Sequence, residues 1–195
     1  METHTATGLI VGLGNIGERY AGTRHNFGFD VVEHVRRELK LPFQPTTKLY
    51  DWALKEEKER QLVLAWPKTY MNRSGAAVQV LLEEHGLEPQ QMLVVVDDFN
   101  LPLGRIRIRA DGSDGGHNGL ASIIETLETE DFPRLRCGIG PVPDGIDPVE
   151  FVLSRFTKEE KEPTEKMIAL AADAALYTVR HRLDEAMSKY NVNPA

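Results

Sequence analysis

His25 sits in Thr23-Arg24-His25-Asn26-Phe27-Gly28, a polar loop just ahead of a helical pattern. Imidazole is the side chain whose ordinary titration range spans neutral pH, so it can take a proton as a general base. A solvated loop histidine, or a neighbour of a helix cap, would look the same in sequence. Asp97 and Asp98 follow the apolar run Leu93-Val94-Val95-Val96. A carboxylate at the carboxyl end of a strand is well placed to orient a histidine. Two adjacent acids also suit Mg²⁺, or nothing more than a polar strand terminus. Asn15, Asn72 and Asn118 lie in three separate loops: Gly14-Asn15-Ile16-Gly17, Tyr70-Met71-Asn72-Arg73-Ser74-Gly75 and Gly115-Gly116-His117-Asn118-Gly119. Asparagine is favoured in turns for backbone reasons alone. It also offers a donor and an acceptor without charge, which suits amide, ester and sugar groups. Arg105, Arg107 and Arg109 alternate with Ile106 and Ile108. On a strand this puts three guanidiniums on one face, roughly 6.6 Å apart, and Arg134 and Arg136 are candidates to extend the stripe. Such a stripe is either a solvated sheet face or a phosphate-binding surface, for which the guanidinium fork is well shaped.

Missing motifs narrow the chemistry. The six histidines are scattered without an H-E-x-x-H, and Cys137 has no metal-ligand partners near it, so no metal cofactor is expected. There is no G-x-S-x-G nucleophile elbow and no G-x-x-x-x-G-K-[ST] phosphate loop. Gly12-Leu13-Gly14-Asn15-Ile16-Gly17 does match the dinucleotide fingerprint. That motif works only where its last glycine opens a helix facing the pyrophosphate. Here the helical pattern starts near Phe27, and no acid follows the next β-run at Trp66-Pro67 to hold a ribose. The segment reads instead as a glycine-rich turn at a strand's carboxyl end, where α/β sheets form ligand crevices.

The elements that must carry these residues alternate between strand and helix. Gly8 to Val11 is a short apolar run, and Tyr50 to Leu54 with Gln61 to Trp66 reads as a hairpin around a charged turn, Glu56 to Arg60. Met92 to Val96, Arg105 to Arg109 and Leu135 to Ile139 are further strands. Helical spacing marks Phe27 to Leu39, Leu120 to Leu127 and Pro163 to about Ser188. Ser74 is placed to cap a helix over Ala76 to His85 that Gly86 ends. The order predicts a single α/β domain over residues 1–195, a mixed, mostly parallel sheet with helices on both faces. Residues 1–6 and 191–195 read as flexible tails.

The length is that of one ordinary domain, 195 residues with 41% hydrophobic and 27% charged side chains. No apolar run is long enough to cross a bilayer, and Met1-Glu2-Thr3-His4-Thr5 lacks the layout of a signal peptide. With a single cysteine, a cytoplasmic protein is expected. The net charge of −7 argues against a broad nucleic-acid surface but leaves room for a local basic stripe.

Taken in order, the loops form a more specific pattern. Gly12-Leu13-Gly14-Asn15, Tyr20 with Thr23-Arg24-His25-Asn26, and Thr69-Tyr70-Met71-Asn72-Arg73-Ser74-Gly75 come first. Asp97-Asp98-Phe99-Asn100-Leu101-Pro102-Leu103-Gly104, Gly115-Gly116-His117-Asn118-Gly119-Leu120 and Arg134-Leu135-Arg136-Cys137-Gly138-Ile139-Gly140 follow, with a weaker Phe151-Val152-Leu153-Ser154-Arg155-Phe156. This series resembles the bacterial-type peptidyl-tRNA hydrolase family, over nearly the whole chain. The resemblance implies a monomeric α/β enzyme without a cofactor that hydrolyses the ester joining a peptide to the 3′ end of tRNA and so recycles prematurely released peptidyl-tRNA. It implies that His25 activates water and that Asp97 holds His25 in the right tautomer. Asn15 would contact the peptide beside the ester, and Tyr20, Tyr70, Asn72 and Asn118 would line the site for the peptide and the 3′ end. Arg107, Arg109 and Arg136 fall where the family clamps the tRNA 5′-phosphate.

The chain departs from the family pattern at four places. Ile16 stands where proline is usual, Trp66 for a common lysine and Asn100 for a common aspartate, and Asp114 brings a negative charge beside the Gly115–Asn118 loop. Two rival readings remain. Some plant-organelle relatives act as RNA-splicing factors, which predicts a larger basic surface than this acidic chain offers. An esterase of small molecules would leave the arginine stripe unexplained.

Overall fold

The computed structural model describes residues 6–57 and 60–192. β1 (Ala6–Gly12) is the first element among the described residues, and α1 (Phe27–Glu38) follows after two short 3₁₀ turns, Glu18–Tyr20 and Arg24–Asn26. β2 (Tyr50–Glu57) and β3 (Arg60–Pro67) form the expected antiparallel hairpin. Residues 58 and 59 of its turn lie outside the described residues. Next come α2 (Ser74–His85), β4 (Met92–Pro102) and β5 (Ile106–Arg109). The chain continues with α3 (Asn118–Leu127), β6 (Arg134–Gly140), α4 (Pro148–Leu153), α5 (Lys161–Arg180) and α6 (Leu183–Tyr190).

Among the described residues, six strands form one sheet in the order β2-β3-β1-β4-β6-β5. The central pairs β3–β1, β1–β4 and β4–β6 are parallel, and the two edge strands pair antiparallel to their neighbours. One face carries Ile10, Leu64, Val95 and Leu135 against α1 and α5. The other carries Leu9, Val11, Val94 and Val96 against α2 and α3. Central strands covered on both faces are apolar at successive positions, which explains the unbroken runs in the sequence. Two glycines bring β1 and α1 together. A Cβ on Gly12 would overlap the Gly28 carbonyl, and a Cβ on Gly28 would overlap backbone atoms of Leu13 and Val95. The first glycine of the apparent dinucleotide fingerprint therefore serves helix packing, and it holds the His25 turn close to the sheet.

Several expectations need correction. Ser74 is the first helical residue, not the cap, and its hydroxyl donates to the Met71 carbonyl at 2.8 Å. β4 does not end before Asp97 but runs on to Pro102, shifting register against β6 between Asp98 and Pro102. The single C-terminal helix is two, broken at His181 and Arg182. Arg134 does not extend the arginine stripe. It is 1% exposed, lies over the Phe132 ring, and donates to the carbonyls of Gly112, Ser113 and Glu130, because the loop before α3 covers that part of the face. Of the residues expected as tails, Ala6 opens β1, and the Asn191 side chain both accepts from the Ile108 N–H and donates to its carbonyl. Among the described residues no helix is long and apolar enough to cross a membrane.

Candidate active site

The carboxyl ends of the parallel strands β1, β3, β4 and β6 meet at one rim of the sheet, and the loops that leave them carry the polar residues. The turn Arg24–Asn26 runs straight into α1 and buries His25 against β4. His25 Nδ1 lies 3.0 Å from both Asp97 carboxylate oxygens. Burial alone pushes the Asp97 carboxyl up, but the adjacent His25 and His117 outweigh it and hold the carboxyl well below the usual carboxylate range. An ionised carboxylate only accepts, so the His25 proton sits on Nδ1 and Nε2 keeps its lone pair.

His117 belongs to the site although sequence reasoning does not single it out from the Gly115–Gly119 loop. Its Nε2 lies 3.2 Å from Asp97 Oδ1, and its ring centroid is 4.9 Å from that of His25. Its Nδ1 accepts from the N–H groups of Gly119 and Leu120, so it caps α3. Both protein donors at Nδ1 fix the neutral tautomer, with the proton on Nε2 pointing at Asp97. The only sequence signal was a histidine just before a helical run. The three side chains are spaced closely enough to suggest a metal triad. The donor chemistry does not fit one: the His117 Nδ1 lone pair is occupied by backbone, and its Nε2 must keep a proton to avoid an imidazolate.

Asn26 is a second omission. Its side chain accepts from the Asn15 N–H at 2.8 Å and donates to the Asn15 carbonyl at 2.9 Å. Asn15 Oδ1 accepts from the Met71 N–H at 2.8 Å, so what Asn15 can offer a ligand is its N–H₂. These bonds pin the Asn15 loop without the proline that Ile16 replaces. Asp114 has a similar buttressing role, since its side chain accepts from the Gly116 N–H at 2.7 Å. Trp66 fills a core position and donates to the Phe29 carbonyl.

The resulting cleft has two lobes. A cavity of about 130 Å³ is lined by His25, Asp97, Asp98, His117, Asn118 and Arg136. A groove of about 510 Å³ is lined by Asn15, Tyr20, His25, Tyr70, Asn72 and Asn118. His25 and Asn118 line both, beneath Val149 and Val152 of α4. Eight of the ten residues expected at the site are thus brought together. Arg107 and Arg109 lie outside the cleft, exposed on edge strand β5, with Arg107 opposite Arg136 in the register. Arg136 itself is partly neutralised, its Nε 2.9 Å from Asp98.

Comparison with known proteins decides the family. The profile of the family described as peptidyl-tRNA hydrolase matches residues 9–195. The chain belongs to this family. A peptidyl-tRNA hydrolase of Sulfurihydrogenibium is 42% identical over 184 residues, 94% of this chain and 97% of its own length. One from Methylacidiphilum infernorum is 47% identical over 163 residues, 84% of this chain and 86% of its own. The crystal structure of the peptidyl-tRNA hydrolase of Acinetobacter baumannii superposes with a TM-score of 0.88 at 31% identity, covering 96% of each chain. The protein is therefore an enzyme of this family, whose function is hydrolysis of peptidyl-tRNA.

Proposed function

We propose that His25 is the general base of this hydrolysis and that Asp97 orients it. Nε2 takes a proton from water, and the hydroxide equivalent attacks the carbonyl carbon of the ester between peptide and tRNA. Negative charge then gathers on the former carbonyl oxygen. Asn15, whose Oδ1 is held by the Met71 N–H, and Asn118 both line the cleft, and their N–H₂ groups serve as the neutral donors for it. The tetrahedral intermediate collapses, the bond to the ribose 3′-oxygen breaks, and the imidazolium returns its proton to that oxygen. The products are a free peptide and a tRNA ready for recharging. Nothing in this sequence of steps calls on a metal or a nucleotide.

The observation that carries this reading is the buried His25–Asp97 contact at 3.0 Å, which leaves Nε2 at the waist of the cleft. Tyr20, Tyr70 and Asn72 are assigned to the peptide and the 3′ end, and Arg107, Arg109 and Arg136 to the tRNA 5′-phosphate. In this reading the enzyme works as a monomer in the cytoplasm, where its substrate is released. The test is release of peptide from peptidyl-tRNA without added metal or nucleotide, beside a peptide ester lacking tRNA. Wild type should cleave the first far faster. His25→Ala should lose about a hundred- to ten-thousand-fold in kcat while still binding tRNA. Turnover by His25→Ala at the wild-type rate would reject the base assignment, and equal rates on both esters would favour a small-molecule esterase.

A further inference from the structure

Arg24, next to His25 in sequence, is 4% exposed although it carries a guanidinium. Its charge lies between two rings, 4.4 Å from the Phe151 centroid and 4.6 Å from that of Phe156. Nε donates to Ser154 Oγ at 3.2 Å, one terminal nitrogen to the Ile139 carbonyl at 3.5 Å, and the other to Glu160 Oε2 at 2.7 Å. The backbone adds two links: the Arg24 N–H donates to the Ser154 carbonyl at 2.9 Å, and Thr23 forms a bridge with Arg155. One side chain thus ties the end of β6, the last turn of α4 and the residue that precedes α5 to the turn that carries the base. Phe151 is adjacent in α4 to Val152, which with Val149 roofs both lobes of the cleft. The hydrolytic steps above make no use of Arg24.

We infer that Arg24 is a positioning residue that locks the roof helix α4 to the His25 turn, so that a peptide seated under α4 and the aim of the imidazole are set together. The inference rests on the hydrolase reading of the same cleft. The chemistry calls for arginine in particular. A planar guanidinium can stack face-on between two rings while its in-plane fork serves partners on three sides, and a tetrahedral lysine ammonium, a point charge on a single stem, cannot do both at once. Arg24→Lys keeps the charge and can still meet Glu160, but it loses the sandwich and the bonds to Ser154 and Ile139. Loss of aim by a fraction of an ångström is felt in turnover more than in binding.

The experiment is steady-state kinetics on peptidyl-tRNA for wild type, Arg24→Lys, Val149→Ala and the double variant, with kcat corrected for the folded fraction from thermal melts. Arg24→Lys should lower kcat by about tenfold or more with KM within about threefold. Val149 is exposed, so its truncation tests the roof without opening the core. If α4 and His25 are joined through Arg24, the effects of the two substitutions on kcat/KM will not add. Should Arg24→Lys fail to fold, Phe156→Leu removes one ring of the sandwich, and with it the edge contact to Phe27, without changing a residue of the His25 loop, and it carries the same expectations. A folded variant with wild-type kcat overturns the inference. So does a loss that vanishes on correction for folded fraction, or a strictly additive double variant. If wild type itself releases no peptide, the functional reading fails instead.

Discussion

Asp97 accepts from two imidazoles, and the two are bonded differently. His117 has its proton fixed on Nε2 by the backbone donors at its Nδ1, so it acts on Asp97 alone. His25 has its Nδ1–H on the same carboxylate and its Nε2 free for water. Asp97→Asn keeps the shape but not this pattern, because one end of the new amide donates. A histidine facing that N–H₂ must turn away or move its proton to Nε2, where the proposed base needs its lone pair. The expected result is a fall in kcat of about a hundred- to ten-thousand-fold with tRNA affinity little changed. A binding assay beside single-turnover kinetics checks it, and a loss confined to affinity would refute the orienting role. The sign of the pH effect follows from the depressed Asp97 carboxyl. Its stabilising contribution is complete above the ordinary carboxylate range and is lost only as pH falls through its lowered value. Asp97 stays ionised across the neutral range, so the alkaline and neutral behaviour of the enzyme is not set by this group.

At the scale of elements, periodicity was enough to reveal the strands, because burial on both faces writes itself as a continuous apolar run. The same signal misplaced the end of β4. Asp97 and Asp98 break the apolar run but not the pairing, since the strand can carry buried acids where His25, His117 and Arg136 meet them. His117 and Asn26 were hidden for a related reason: each is defined by a partner distant in sequence, and their own neighbours look like ordinary turn residues. The loops themselves were legible because glycine and asparagine mark them. Helix α1, which follows directly on the His25 turn, also carries a cost. Burial, with Glu33 beside it, pushes the Asp30 carboxyl up to about 6. A raised acid favours its protonated form in the folded state, so ionising it costs stability as pH climbs from about 4 to above 6. Asp30→Asn should therefore raise stability at pH 7.5 by about 1–2 kcal/mol, after some loss of a favourable charge in the first turn. It should change little at pH 4. Thermal melts at both values decide this, and an equal gain at both would show that charge is not the cause.

Across the whole molecule, the net charge of −7 has to be reconciled with a polyanionic substrate. In the proposed reading the fold does so by segregation. Arg107 and Arg109 project from an edge strand whose alternate residues, Ile106 and Ile108, are buried, so the cations share one exposed face. Arg136 lies opposite Arg107 on the neighbouring strand, and Asp98 offsets the repulsion between them. That same pairing leaves Arg107 and Arg109 as the more accessible cations and places Arg136 where the stripe reaches the cleft. The rest of the surface, net acidic, disfavours RNA held in other orientations. Each phosphate neutralised contributes roughly 0.7–0.9 to the slope of log affinity against log salt. Replacing both Arg107 and Arg109 with glutamine should therefore reduce that slope by about 1–2 and raise KM for peptidyl-tRNA, while kcat at saturation stays near wild type. A peptide ester without tRNA should be cleaved as before, since neither residue lines the cleft. The measurement is KM over a series of salt concentrations for both substrates. An unchanged slope would mean that the phosphate is held elsewhere, and an equal loss on the small ester would mean that the arginines act on the fold rather than on the RNA.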